Sequence, residues 1–206
     1  MNHLEPHSVL ETRLTHQTHR RASALLAEAA NSATADPEAL THLRDFLVAT
    51  LHHHHESEDH ILWPLIEKSA PGSSQPLVAL GEEHEELERE LQALAEAPVP
   101  ASGPRDALAE AATSVRDLVH RHLEHEEPVL FPALRDHVTP EQWNDFSLQV
   151  ITTTPPEGAM LLIGFLNEFA TQQELDAMMA ELPGPALEAA PAMAAEAAKV
   201  LAAVRG

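Results

Sequence analysis

Apolar residues recur at helical period through four long stretches of the chain, roughly residues 8–30, 38–68, 77–97 and 105–136. Breaker clusters separate them: Asn31 to Pro37, Ser69 to Pro76 and Pro98 to Pro104. Asp36-Pro37 reads as an N-cap followed by a first-turn proline. Short loops between long helices imply antiparallel neighbours. The pattern therefore predicts an all-α protein, with residues 1–137 forming an up-down-up-down four-helix bundle.

Helical phase also predicts where the polar residues point. Around His54 the residues Leu43, Leu47, Leu51, Ile61 and Leu65 stand at −11, −7, −3, +7 and +11. Around His122 the residues Ala111, Val115, Val119, Val129 and Ala133 stand at the same offsets. Glu58 and Glu126 fill +4 in each, so two histidine–glutamate pairs occupy the seam that a bundle buries. His84, flanked by Leu77, Leu80, Leu87, Leu91 and Leu94, is in the same phase, and so is His19 with Ala22, Leu26 and Ala29.

These residues form an internal repeat. His54-x3-Glu58 runs on to Ile61-Leu62-Trp63-Pro64-Leu65, and His122-x3-Glu126 to Val129-Leu130-Phe131-Pro132-Ala133. His19 precedes the first pair by 35 residues and His84 the second by 38. A histidine and an acid four apart lie on one helix face, so a pseudo-twofold axis would gather all six side chains. Buried carboxylates and imidazoles are costly unless paired, protonated or metal-bound, and no cationic side chain is in phase with them. A metal pair resolves the cost, with His19, His54, Glu58, His84, His122 and Glu126 as ligands. The donor set suits iron, with zinc and manganese as possible occupants. Four imidazoles and two bridging carboxylates supply about eight bonds, leaving room for small-ligand chemistry. His16, one turn before His19, is an alternative ligand on the first helix. Other histidines, His52, His53, His55, His60, His120 and His125, read as solvated faces, some of them able to orient ligands or carry protons.

Composition narrows the partners. The 206 residues carry a formal charge of −21, which argues against nucleic acid or an anionic membrane. The chain has no cysteine, which excludes disulfides and thiolate sites and fits a cytoplasmic protein. No apolar run reaches spanning length. Trp63 and Phe131 read as core wedges, Pro64 and Pro132 as kinks or stops, and the acidic run from Glu82 to Glu86 as a wet face.

Beyond the bundle, residues 138–206 read as a helical extension packed on it. Thr139-Pro140-Glu141-Gln142 is a capping box, and Thr154-Pro155-Pro156-Glu157 repeats the signal. Ala159 to Leu166 is almost wholly apolar and reads as core, or as a lid over one end of the bundle. The Ala-rich stretch Glu188 to Val204 predicts a last, loosely held helix.

The doubled His-x3-Glu phrase, the two trailing Leu-(Trp/Phe)-Pro triplets, His19 in Thr18-His19-Arg20 and His84 in Leu80-x3-His84-x2-Leu87 resemble the hemerythrin-like family over residues 8–136. The resemblance implies a non-haem di-iron centre with an oxo or hydroxo bridge that meets O2, peroxide or NO. Oxygen carriers similar to this chain have a second histidine four residues after the one on the third helix; here that position is Glu88. His16, His53, His55 or His125 could restore a fifth imidazole. The departure shifts the expectation from carriage towards peroxide decomposition, sensing or iron handling. The alternatives are an iron store or donor, and an O2 or redox sensor without turnover. No residue outside the ligands stands out as a general acid or base.

Overall fold

A computed structural model describes residues 5–180, 182 and 184–206, with the backbone alone at 156 and 157. Helix α1 spans His7–Ala29 and α2 spans Pro37–Ser57. Asp36 caps α2 as expected, its carboxylate accepting from the Ala39 N–H at 2.9 Å. A π-helical turn, Glu58–Leu62, joins α2 to α3, Trp63–Ser69, so the second stretch is one continuous rod. The third divides into α4, Gln75–Val78, and α5, Gly81–Glu96; the fourth is α6, Asp106–His137. Each of α1 and α5 packs on both α2 and α6, which makes a four-helix ring with α2 diagonal to α6.

The π turn changes the register of the seam. Trp63 N–H bonds the Glu58 carbonyl, five residues back rather than four. Pro64 has no N–H and its ring would press on the carbonyl four residues before it, so a wider turn relieves the crowding. The turn absorbs one extra residue. The expected seam residues Ile61 and Leu65 are only half-buried, and Leu62, Trp63 and Ile66 take the core positions. In α6 the buried set likewise moves from Val129 to Leu130, with Ala133 and Leu134 following. Neither Pro128 nor Pro132 stops α6. Both are exposed, and the carbonyls they leave without a helical partner can reach water.

Two apolar cores result, with a polar layer between them. One core holds Leu26, Leu43, Leu47, Leu51, Leu91, Val115 and Val119. The other holds Val9, Leu62, Trp63, Ile66, Leu77, Leu130 and Leu134. On all four bundle helices the histidines and glutamates fall in the gap between these sets.

Among the described residues four further helices follow: α7, Pro140–Thr153; α8, Pro156–Phe169; α9, Gln172–Ala180; and α10, Gly184–Arg205. The Thr139 capping box is present in full. The second capping signal is not used: Pro155 is the N-cap of α8, without a side-chain bond, and Thr154 instead donates to the Val150 carbonyl. Helix α8 packs against α1, α2 and α10. It crosses α10 closely at Gly164, where an added Cβ would stand 2.5 Å from that of Ala197. The last helix is not loosely held. Ala197, Leu201 and Val204 are buried in the main core, because alanines let α10 approach α8 closely enough to exclude water. No described helix is long and apolar enough to cross a membrane.

Candidate metal centre

The polar layer holds eight side chains. His16 and His19 come from α1, His54 and His55 from α2, Glu58 from the π turn, His84 from α5, and His122 and Glu126 from α6. All but His54 are fully buried, and its side chain is 13 % exposed. Their inner atoms converge. Glu58 spans the layer, with Oε1 3.3 Å from His54 Nε2 and Oε2 3.7 Å from His84 Nε2. Glu126 Oε2 lies 3.1 Å from His122 Nε2 and 3.8 Å from His16 Nε2. His84 and His122 bring their Nε2 atoms within 3.2 Å of each other.

Among the described residues, two groups of side chains have ligand atoms within 4.8 Å of one another. One is His55, His84 and His122; the other is His16, His54, Glu58 and Glu126. Every residue expected at the site is in the layer, but two more join it. His55, expected on a solvated face, is buried and stacks on His84 with ring centroids 4.4 Å apart. His16 enters the second group. His19 lies beside it, its ring centroid 5.0 Å from that of His54, outside the group itself.

Behind the layer stands a ring of carboxylates. His84 Nδ1 is 3.1 Å from each Asp59 oxygen, and His122 Nδ1 is 3.1 Å from Glu83. His16 Nδ1 is 3.1 Å from Glu127, which Arg20 also binds, and His55 Nδ1 is 3.4 Å from Glu88. An ionised carboxylate only accepts, so Nδ1 of each of these rings carries a proton. At His16, His55 and His84 the Nε2 lone pair then faces inward, whereas His122, although burial opposes it, is raised above its ordinary value by Glu126 and Glu83. Burial alone would raise Glu83, Glu88 and Glu127, but the adjoining imidazoles, with Arg20 at Glu127, hold all three below the usual carboxylate range. This is the tautomer and orientation a metal-binding histidine needs.

Electrostatics prepare the same chemistry. Burial pushes His19 and His54 well below their ordinary values, and His55 down to about 4, so they are neutral donors at physiological pH. Burial, and then the charge of Glu126, hold Glu58 well above the usual carboxylate range. Glu126 goes the other way: although burial opposes it, His16 and His122 lower it to about 2. The two central carboxyls are thus pushed in opposite directions.

A fit to metal cations rests on the atoms left over. His16 Nε2, His19 Nδ1, His54 Nε2, His55 Nε2 and all four oxygens of Glu58 and Glu126 are buried without a hydrogen-bond partner. Orphaned groups on this scale are strongly destabilising in a protein interior. All are lone-pair donors of the kinds that bind transition metals, and all but His19 Nδ1 belong to the residues of the two groups.

Sequence phase missed His55 because it lies off the heptad seam, and it could not choose between His16 and His19, which stand three residues apart on one face of α1. The usable signal was the carboxylate four or more residues away on a neighbouring helix, which only the fold brings into contact. The family model for the hemerythrin HHE cation-binding domain matches residues 10–134. No curated protein and no solved structure was found to match the chain. With the match covering most of the chain, and a buried His/Glu layer at its centre, this protein belongs to the hemerythrin HHE cation-binding family.

Proposed function

We propose that this is a non-haem di-iron protein that binds or turns over a small oxidant. The observation that carries the reading is Glu58, whose two oxygens face different histidine groups and so would bridge two cations. In this reading His55, His84 and His122 hold one iron and His16 and His54 the other, with Glu58 and Glu126 between them. Two irons held in this way would supply reversible binding or electron transfer to O2, peroxide or NO. The rest belongs to the chain. Asp59, Glu83, Glu88 and Glu127 fix the imidazoles, Leu51 and Leu62 close the layer on either side, and the burial of Glu58 keeps bulk water from its carboxyl. The lack of cysteine accords with a cytoplasmic setting.

Three imidazoles on one side and two on the other differ from the symmetric set read in the sequence. The unequal set favours ligand binding at one position over a fully symmetric pair. The test is to purify the chain, measure its metals, and record visible spectra without oxygen, then with O2, peroxide and NO. About two irons per chain and new absorption on adding an oxidant are expected. Zinc alone, or no metal after growth with ample iron, would sink the reading.

One observation favours an iron donor as the second reading. An open cleft of about 880 Å3 reaches His55 and His84 and is lined by Glu56, Asp59, Glu85 and Glu88. It offers hydrated cations a polar way out. Iron lost within minutes to a mild chelator, with little turnover of peroxide, would select that reading.

A further inference from the structure

A second, narrower cavity of about 160 Å3 lies on the other side of the layer. Its floor includes His19, His54 and Glu58. Phe46 and Leu62 of the bundle line it, and so do Trp143, Phe146 and Val150 of α7 and Leu162 of α8. Half its wall thus comes from helices beyond residue 134, where the family match ends. Polar residues such as Thr12, Thr50 and Ser57 also line it, but most of the surface that faces the space is apolar, so it favours a small apolar guest such as xenon over a strongly hydrated one.

We propose that α7 and α8 build an antechamber through which small, uncharged, apolar molecules reach the centre. This rests on the reading of the layer as a metal pair. Three observations agree on it. The antechamber meets the layer at His54, the half with fewer imidazoles and therefore more room for an incoming ligand. His19 lines the same cavity and has a buried Nδ1 without a partner, so a bound molecule gains a hydrogen-bonding group at the floor. The wider cleft lies on the opposite side, at His55 and His84, and carries the carboxylates of Glu56, Asp59, Glu85 and Glu88. Desolvation therefore sorts the traffic: ions and strongly hydrated molecules are held to the cleft, and apolar diatomics such as O2 and NO partition into the antechamber ahead of peroxide. The extension is a selectivity filter, not a cover over the end of the bundle.

The test uses the full chain as purified, with metal content measured first. Crystals under xenon are expected to show the gas between Leu162, Val150 and His54. Leu162 is only partly buried, so Leu162→Trp fills the space with little disturbance of the core, and Val150→Phe is a milder filling. Both variants are expected to exclude xenon, keep the metal content of the unaltered protein, and bind NO more slowly in stopped flow, by about tenfold for the tryptophan. Absence of xenon from the cavity, or NO association unchanged in both filled variants, would overturn the proposal. A chain without metal while xenon still binds points instead to failure of the di-iron reading, and removes the destination of the route.

Discussion

Glu88 Oε1 lies 3.4 Å from Nδ1 of His55, and its other oxygen is 2.9 Å from His52. The position that lacks an expected histidine thus carries the carboxylate that turns another histidine inward. Glu88→Ala is expected to weaken metal binding about 10–100-fold by freeing the His55 ring. His55→Ala should go further and lower the stoichiometry towards one metal per chain. Metal analysis after dialysis at graded chelator concentrations measures both. Two tightly held metals in His55→Ala would show that α2 gives only His54.

His16 and His19 make different predictions. His16 has Glu127 behind it and an inward Nε2, whereas His19 borders the antechamber. His16→Ala should lose metal from the His54 half. His19→Ala should keep two metals and alter the spectrum of the NO adduct. The reverse outcome would assign the ligand on α1 to His19.

Glu58 trades stability for its place between the groups. Its folded pKa is raised, so its favourable contribution is present below the ordinary carboxylate value near 4.5 and is lost as pH rises through the folded value. In chain stripped of metal, Glu58→Gln mimics the protonated acid. It is expected to match the unaltered protein at pH 4 and exceed it by about 1 kcal/mol or more at pH 8. It should also fail to hold a metal pair. Urea denaturation at the two pH values checks the sign.

The buried histidines act in the opposite pH direction. His55 is lowered from 6.5 to about 4 in the folded chain, and His19 and His54 are lowered too. At these histidines the unfolded chain binds more protons, so their contribution to the stability of the stripped protein is complete above pH 6.5 and falls as pH drops towards 4. His55 alone accounts for about 3 kcal/mol of that loss. Bound metal occupies the same lone pairs, so loaded protein should resist acid to a lower pH. A thermal midpoint that stays level between pH 7 and 4 in the stripped protein would contradict this.

Glu11 ties the extension to the bundle. It accepts from Trp143 Nε1 at 2.7 Å and from Ser147 Oγ at 2.8 Å. Glu11→Ala leaves the buried indole N–H without a partner and should cost about 1–3 kcal/mol. Hydrogen exchange should quicken in α7 while α5 stays protected. Equal change in both helices would mean that the extension and the bundle open as one unit.

The chain by itself determined the all-α bundle, because apolar residues at heptad spacing leave a helix only one face to bury. It also set six of the eight polar residues in the layer, since His19, His54, Glu58, His84, His122 and Glu126 interrupt that face in phase. Helical period could not find His55, which is rotated by about 100° from His54 and would look outward on a helix with one neighbour. Helix α2 instead sits at a corner between α1 and α5, so two directions count as inside. Nor could period see the π turn, which inserts one residue and moves the seam from Ile61 to Leu62. The antechamber needed the fold for the same reason. Trp143, Val150 and Leu162 are ordinary apolar residues in sequence, and only the packing of α7 and α8 against α1 and α2 sets them over His54. Local spacing decides which face of a helix is buried; the neighbours on that face decide what the burial is for.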